Sequence, residues 1–289
     1  QEFIRRPECA ELATEFTYVV VKGGEQEVAV IFNMNHFSSG NRQEVNRLSK
    51  QLTKKVKAVK AVFVFLDESR SKYYLSSSPK KNEGENRRPL QKLFGTDKLF
   101  HAVGGKKFLY SPLSFSQTNH SILEQFIDKA KELLELEIED LLLDLYCGYG
   151  LFSICLAEKV KSVLGVELSR SSIKDAIENA QRNKAANCRF IPADISEESL
   201  HRLFPPQSKA KIKVLFDPPR NGTSDGVIEL IASKNPAKVL HIFCNVDIMH
   251  KELERWKQSG YVPVIAQPFD MFPGTSEVEM MVVLEKPTS

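Results

Sequence analysis

The chain has 289 residues, of which 42% are hydrophobic and 27% are charged, and its formal net charge is +3. This ordinary globular composition can bury a sizeable core in one large or two modest domains. No apolar stretch reaches the roughly 18 residues that span a bilayer, and the charged first residues are not typical of a signal peptide, so we expect a soluble intracellular protein without membrane contact.

The charge is distributed unevenly along the chain. Residues 1–112 contain 20 Lys and Arg against 12 Asp and Glu, whereas the remaining residues contain 20 against 25. A local basic excess can attract a polyanion even when the net charge is small. Any one cluster can equally be a solvated surface, so an interaction with nucleic acid depends on the chemistry further along the chain. The basic clusters are Lys54, Lys55, Lys57 and Lys60; Lys80 and Lys81; Arg87 and Arg88; and Lys106 and Lys107.

Residues 1–112 predict a smaller antiparallel α+β domain. Gly23 and Gly24 indicate a hairpin turn, and a helix with Ser39 or Asn41 as its N-cap is expected after the second strand. Residues 76–88, rich in Ser, Pro, Lys, Asn and Glu, predict a flexible excursion. The β-branched and aromatic runs that predict strands are at 16–21, 27–32 and 61–66.

From residue 113 to the end, short apolar strands alternate with amphipathic helices. This alternation is typical of a doubly wound α/β sheet. The first strand, at 141–146, is predicted to run into a turn that contains Gly148 and Gly150, and then into a helix that begins near Ser153.

The glycine turn favours S-adenosylmethionine over a dinucleotide. Gly148 and Gly150 permit close approach of a ligand to the backbone, but the third glycine of a dinucleotide-binding turn is missing. Asp144 would repel a pyrophosphate and suits the cationic part of S-adenosylmethionine. Glu167 closes the next strand, where a carboxylate can bind both ribose hydroxyls. The alternative is a Rossmann-like scaffold that binds no nucleotide.

The fourth strand of this region ends in Asp217-Pro218-Pro219-Arg220. The two prolines hold the chain extended and present Asp217 rigidly toward the donor pocket. N-methyltransferases of exocyclic amines use a similar turn with an aromatic residue after the prolines, whereas Arg220 prefers phosphate or carboxylate. S-adenosylmethionine-dependent N-methylation of nucleic acid stays open as an alternative.

Two reactive residues, Cys244 and Glu279, lie at the ends of apolar runs. Ligands of open α/β sheets bind outside the carboxyl ends of the strands, so a thiol and a carboxylate at neighbouring strand ends can meet over one substrate. Taken alone, Cys244 can be an inert core residue and Glu279 a charge on an edge strand, while Cys147 would face the donor. Scattered cysteines without a C-x-x-C pair favour a reducing compartment and no metal. Surface or capping roles are expected for His120, His241 and His250.

The order and spacing of several segments resemble one family, the uracil-5-methyltransferases of tRNA and rRNA, which make 5-methyluridine. The resemblance covers residues 113–289 almost end to end and implies a Rossmann-like class I methyltransferase sheet there, with residues 1–112 as the RNA-facing domain. It implies that Cys244 is the nucleophile and Glu279 the base. Donor contacts are implied for Gln117, Tyr146, Leu151, Glu167 and Asp217, together with the turn residues Gly148 and Gly150. The matching segments are Phe115–Asn119, Asp144–Gly150, Gly165–Glu167, Asp217–Gly222, Cys244–Asn245 and Phe269–Thr275 followed by Glu279.

This chain departs from the family pattern at several positions. Ser116 replaces a Phe, Val246 replaces the Pro after Cys-Asn, Glu277 replaces a His, and Leu151 replaces an Asn found in some members. The N-terminal β-barrel and the iron–sulfur cysteines of other members are missing, so we expect either a piece of a longer chain or a short member. A catalytically inactive RNA-binding member is a further alternative, favoured by Val246 and Glu277.

The expected reaction transfers a methyl group from S-adenosylmethionine to C5 of a uridine in RNA. Uracil C5 is a weak nucleophile, so the Cys244 thiolate would first add to C6, and Glu279 would later remove the C5 proton with a pKa raised by burial. The target base must be flipped out. By resemblance, we expect a monomer that acts on tRNA, at the T-loop uridine, in preference to rRNA.

Overall fold

The computed structural model describes residues 10–24, 27–67, 90–117, 119–203 and 210–287. The chain divides into two compact units, Gln1–His101 with Ser111–Leu113 and Ala102–Tyr110 with Ser114–Ser289. The excursion expected at 76–88 lies outside the described residues. Within the described ranges, no helix combines the length and the apolar character needed to cross a bilayer.

In chain order, the first unit contains α1 (Ala10–Glu15), β1 (Phe16–Gly23), β2 (Val28–Met34), α2 (Ser39–Lys55), β3 (Val59–Leu66) and β4 (Leu90–Gly95). These strands form one sheet in the order β1-β2-β3-β4. The β1–β2 and β3–β4 pairs are antiparallel, but β2 and β3 are parallel. The expectation of an antiparallel sheet is therefore wrong at this pair, because α2 crosses over and returns the chain to the same end of the sheet.

Helix α2 packs its apolar face on this sheet. Val45 and Leu48 are buried in one cluster with the valines of β3. The prediction of Ser39 or Asn41 as the N-cap is wrong, since Ser38 is the cap. Asn41 instead completes a capping box, because its side-chain oxygen accepts a hydrogen bond from the Ser38 backbone N–H at 3.0 Å.

From Leu99 onward, the chain contains β5 (Leu99–Val103), β6 (Lys106–Tyr110), α3 (Leu123–Leu134), β7 (Leu141–Leu145), α4 (Leu151–Leu156), β8 (Ser162–Glu167), α5 (Arg170–Arg182), β9 (Cys188–Pro192), α6 (Glu197–Leu203), β10 (Ile212–Phe216), α7 (Val227–Ser233), β11 (Lys238–Phe243), α8 (Met249–Gln258), β12 (Val262–Phe269) and β13 (Glu279–Glu285). β5 and β6 form a two-stranded sheet. Helix α4 begins at Leu151, two residues before the predicted start, because Gly150 in the left-handed conformation is its N-cap.

The large sheet has the order β12-β13-β11-β10-β7-β8-β9. Strands β7 to β11 are parallel, whereas β13 runs antiparallel to both of its neighbours, β11 and β12. The prediction of a doubly wound α/β sheet is confirmed.

The strand order reverses between β7 and β10. β8 and β9 continue on one side of β7, while β10 and β11 lie on the other side. The loops that leave β7 and β10 therefore diverge and open a crevice at the carboxyl ends of these strands. Because β13 is antiparallel to β11, its first residue, Glu279, lies at this same edge.

Candidate active site

Asp144, near the end of β7, ties the glycine turn to the helix that follows. It is 1% exposed, and its Oδ2 atom accepts hydrogen bonds from the backbone N–H of Ser153 at 3.0 Å and from its hydroxyl at 2.5 Å. Burial raises the pKa of Asp144 to about 7, although the hydrogen bonds from Ser153 act in the opposite direction. This carboxyl group therefore fixes the first turn of α4 against β7.

The turn between β7 and α4 has an unusual backbone. Tyr146 has φ 67°, and Gly148 and Gly150 have φ 53° and 85°. A left-handed conformation costs a non-glycine residue about 1–2 kcal/mol, so the surrounding structure must hold Tyr146 in place. A Cβ atom at Gly150 would lie 3.1 Å from the ring of Phe190, so this glycine is needed for close packing as well as for its backbone angle.

Glu167, the last residue of β8, lies against this turn. Its Oε2 atom accepts a hydrogen bond from the Gly148 N–H at 3.3 Å, and its Oε1 atom accepts one from the Ser169 N–H at 2.8 Å. Leu151, at the start of α4, is buried, and so is Gln117. Glu167 thus places a carboxylate beside the glycine turn, at the carboxyl end of the parallel strands.

Asp217 follows β10 on the other side of the crevice. Burial raises the pKa of its carboxyl group well above the usual range, and the charges of Glu279 and Asp144 act in the same direction. Asp217 is therefore within electrostatic reach of both Asp144 and Glu279 at the edge where β7 and β10 diverge. Such a grouping of acidic side chains favours a cationic ligand.

Cys244 and Glu279 lie at the end of the β11–β13 ladder. Phe243 pairs with Met280 in the last recorded pair of the antiparallel register, so Cys244 directly follows that pair on one strand and Glu279 directly precedes it on the other. The charge of Glu279 acts on the Cys244 thiol, which shows that the two side chains are close. Glu279 is 4% exposed, and its Oε2 atom has no hydrogen-bond partner among the described residues. A buried carboxylate oxygen without a partner is costly, so its position beside a thiol is a feature to be explained by function.

Burial controls the charge of both reactive groups. It raises the pKa of Glu279 to about 7, against the attraction of Arg220, as expected from the apolar residues on either side. It raises the pKa of Cys244 to about 12, and the charges of Glu279 and Asp217 add to this effect. Arg220 acts to lower the pKa of Cys244 but does not offset these effects, so among the described residues the surroundings keep Cys244 a neutral thiol near pH 7.

The Asp217–Gly222 loop contacts the segment that carries Cys244. The Cys244 thiol lies 3.8 Å from the Pro218 carbonyl oxygen, and the Asn245 side chain donates a hydrogen bond to the Arg220 carbonyl at 3.1 Å. The Arg220 guanidinium forms an ion pair with Glu277. Glu277, a departure from the family pattern, thus has a partner in the same loop.

The structure also bears on Cys147, the rival nucleophile, and on His241, which was expected at the surface. Burial raises the pKa of the Cys147 thiol well above its ordinary value, so this cysteine is a poor rival nucleophile. The expectation that His241 is a surface or capping residue is wrong, because its side chain is fully buried and lies 3.3 Å from Glu252. Sequence reasoning missed both His241 and Glu252; the one available signal was a histidine inside the apolar run of β11.

Among the described residues, no group of three His, Cys, Asp or Glu side chains could hold a metal ion.

Comparison with known proteins identifies relatives of this chain. The family model for tRNA (uracil-5-)-methyltransferase matches residues 89–287. An uncharacterized RNA methyltransferase of Clostridium tetani is 34% identical over 192 residues, which cover 66% of this chain and 41% of the relative. The 23S rRNA (uracil(1939)-C(5))-methyltransferase of Aliivibrio fischeri is 34% identical over 187 residues, which cover 65% of this chain and 42% of the relative. This chain thus spans about two fifths of the length of these curated relatives.

Solved structures share the fold. The tRNA (uracil-54, C5)-methyltransferase of Pyrococcus abyssi, solved with S-adenosyl-L-homocysteine, superposes with a TM-score of 0.67 at 22% identity, over 92% of this chain and 59% of that one. Trm5b of the same organism superposes with a TM-score of 0.61 at 18% identity, over 99% of this chain and 79% of that one. The Rossmann-like class I methyltransferase sheet is therefore confirmed, and the match of the family model shows that the chain belongs to the tRNA (uracil-5-)-methyltransferase family.

Proposed function

We propose that this chain transfers a methyl group from S-adenosylmethionine to C5 of a uridine in RNA, by way of a covalent bond between the Cys244 sulfur and C6. The observation that carries this proposal is that Cys244 and Glu279 flank the last pair of the β11–β13 ladder, Phe243 with Met280, and that the Glu279 charge acts on the Cys244 thiol. A nucleophile and a base are needed on one substrate ring, and these two groups end neighbouring strands at the edge where β7 and β10 diverge.

The residues around the crevice fit the proposed donor. Burial raises the pKa of Asp144, Asp217 and Glu279, and the charges of Asp144 and Glu279 raise that of Asp217 further; a sulfonium cation would relieve that repulsion. Glu167, whose carboxylate accepts a hydrogen bond from the Gly148 N–H in the glycine turn, would bind the ribose hydroxyls. When bound, S-adenosylmethionine supplies an electrophilic methyl group. The donor-binding set is proposed to be Gln117, Tyr146, Gly148, Gly150, Leu151, Glu167 and Asp217.

The chain's own residues would then act in sequence. Cys244, once deprotonated, gives an electron pair to C6 of the uracil ring, and C5 becomes the nucleophile that receives the methyl group. The Glu279 carboxylate removes the remaining C5 proton, the C5–C6 double bond forms again, and the C6–S bond breaks to release Cys244 as a thiolate. A carboxyl pKa of about 7 makes Glu279 a stronger base than a carboxylate in water.

The first unit is proposed to face the RNA. The outward side of α2, opposite Val45 and Leu48, carries Arg42, Arg47, Lys50 and Lys54 without an acidic residue among them, beside a groove of about 710 Å³. Such a stripe can follow a phosphate backbone. Lys55, Lys57 and Lys60 are also exposed near the end of this helix. We favour tRNA, at the T-loop uridine, although the relatives include a protein named for rRNA.

Incubation with RNA that contains 5-fluorouridine tests this function. Fluorine cannot leave as a proton, so the covalent complex must accumulate and survive a denaturing gel. We expect a complex that requires S-adenosylmethionine and is lost in Cys244→Ala but kept in Cys155→Ala, a substitution of another free cysteine. N-methylation or RNA binding without catalysis predicts no such complex, and its absence would refute the proposal.

A further inference from the structure

Glu252, on α8, holds the far end of the loop that contacts Cys244. Its side chain is 3% exposed. Its Oε1 atom accepts two hydrogen bonds from Thr223, one from the backbone N–H at 2.6 Å and one from the hydroxyl at 2.8 Å. Thr223 directly follows Gly222, at which an added Cβ atom would lie 2.7 Å from the same Oε1 atom. The end of the loop is therefore closely fitted to this carboxylate.

The second oxygen of Glu252 faces His241, on β11. His241 Nε2 lies 3.3 Å from Glu252 Oε2, and His241 Nδ1 accepts a hydrogen bond from the indole N–H of Trp256 at 3.1 Å. An indole N–H can only donate, so Nδ1 carries the lone pair and the ring proton is on Nε2, the ring nitrogen near the carboxylate. Nε2 and Glu252 Oε2 are both buried and have no other polar partner of hydrogen-bond geometry among the described residues. The ring is held in this orientation between Phe243 and Phe216, at centroid distances of 3.7 and 4.7 Å.

The charge state agrees with this hydrogen-bond pattern. Burial lowers the pKa of His241, so the imidazole is neutral near pH 7. Burial acts to raise the pKa of Glu252, but the contact with His241 and the hydrogen bonds from Thr223 outweigh it and lower that pKa. Among the described residues, Arg255 and Tyr146 are also within electrostatic reach of Glu252. Glu252 is therefore a carboxylate whose Oε1 atom accepts hydrogen bonds from Thr223 and whose Oε2 atom lies 3.3 Å from His241 Nε2.

This carboxylate joins three chain segments that meet at Cys244. His241 lies three residues before Cys244 on β11, and α8 begins five residues after it. The loop that Glu252 holds through Thr223 contacts Cys244 through the Pro218 carbonyl and Asn245 through the Arg220 carbonyl. We propose that Glu252, oriented by His241, is a positioning residue that sets the distance between the Asp217–Gly222 loop and the Cys244 thiol, an inference that rests on the proposed function.

A glutamine cannot replace this glutamate in either orientation. If its oxygen accepts from Thr223, its NH₂ group faces the Nε2 proton of His241; if the amide is turned, the NH₂ group faces the Thr223 N–H. Moving the ring proton to Nδ1 would relieve the first conflict but would then oppose the Trp256 N–H. Removal of that N–H by Trp256→Phe frees the imidazole to change tautomer, so the penalty of Glu252→Gln should fall in that background.

The test measures the rate of covalent complex formation with 5-fluorouridine RNA at saturating S-adenosylmethionine, together with the affinity for S-adenosyl-L-homocysteine and the thermal melting of each variant. We expect Glu252→Gln to slow complex formation by about 10- to 100-fold, as a misplaced reacting group does, while the affinity for S-adenosyl-L-homocysteine changes less than about 3-fold. Glu254→Gln, an exposed neighbour on α8, should match the wild type. In the Trp256→Phe background, Glu252→Gln should slow the reaction less than about 3-fold.

Each other outcome contradicts the positioning role. An unchanged rate in Glu252→Gln would show that the loop keeps its place without the carboxylate. Equal losses of rate and of S-adenosyl-L-homocysteine affinity, or the same penalty in both Trp256 backgrounds, would assign Glu252 to general folding. If the wild type forms no complex, the proposed function itself fails and this inference fails with it, whereas a wild-type complex with a fully active Glu252→Gln variant overturns the inference alone.

Discussion

Replacement of Glu279 by Gln should separate methyl transfer from product release. Thiolate addition to C6 and methyl transfer to C5 need no base at C5, so both should still occur. The methylated adduct then keeps its C5 proton and cannot collapse. Loss of a general base costs about 10²–10⁴-fold, so multiple turnover should fall by that factor while about one methyl group per enzyme is transferred.

The position of the Glu279 pKa gives this step a distinct pH dependence. With a pKa of about 7, the fraction of Glu279 that is ionised falls about tenfold per pH unit below 7 and levels off above it. Collapse of a preformed wild-type adduct should follow this curve, and the residual collapse in Glu279→Gln should not.

A denaturing gel with RNA labelled at the donated methyl group measures the amount of methylated adduct and the rate at which it collapses. Glu277→Gln is the matched control, since Glu277 is two residues away and is paired with Arg220. Normal turnover in Glu279→Gln would show that the base lies elsewhere, with Glu277 the first candidate. Complete absence of an adduct would instead assign Glu279 to binding or folding.

Three further results are expected. Glu279→Gln should stabilise the protein above pH 7 by up to about 3 kcal/mol, since a carboxyl pKa raised from 4.5 to about 7 opposes folding by ~1.4 kcal/mol per unit once the group is ionised. The difference between the variant and the wild type should vanish below pH 4.5. Denaturant titrations of both proteins at pH 8 and below pH 4.5 measure it, and equal stabilities at pH 8 would contradict the burial argument. Cys244→Ala should abolish methylation yet bind S-adenosyl-L-homocysteine nearly as well as the wild type by calorimetry, because the proposed donor residues lie on other strands; appreciable turnover would refute nucleophilic catalysis. Neutral replacements in the basic cluster should weaken RNA binding and reduce its salt slope by about one per lost phosphate contact, and an unchanged slope would mean a solvated surface; the residues to replace are Lys54, Lys55, Lys57 and Lys60.

The sequence was sufficient for features that depend on local pattern. Alternation of strands and helices predicts the doubly wound sheet, and Asp144, Gly148 and Glu167 fall at strand ends because turn residues mark those ends. The parallel β2–β3 pair could not be predicted in this way, because strand direction depends on where the crossover helix returns the chain.

Contacts between distant residues were also beyond the sequence. Arg220 and Glu277 are 57 positions apart, and His241 reaches Glu252 only because α8 folds back over β11. The neutral state of the Cys244 thiol was missed for the same reason, since its pKa is raised first by burial in the folded chain and then by the charges of Glu279 and Asp217, which β13 and β10 bring there.

The ladder between β11 and β13 places a constraint on how chains of this kind can change in length. Successive side chains of a strand point to opposite faces of the sheet, so one inserted or deleted residue next to Cys244 or Glu279 would turn one of the two groups to the other face. The Asp270–Val278 segment that precedes β13 is not bound by this register. Its length is limited in another way, since Phe269 pairs with Glu279 at its two ends and the spacing from Phe269 to Glu279 is part of the family pattern. Natural variation in length should therefore be rare from Phe269 to Glu279 and next to Cys244.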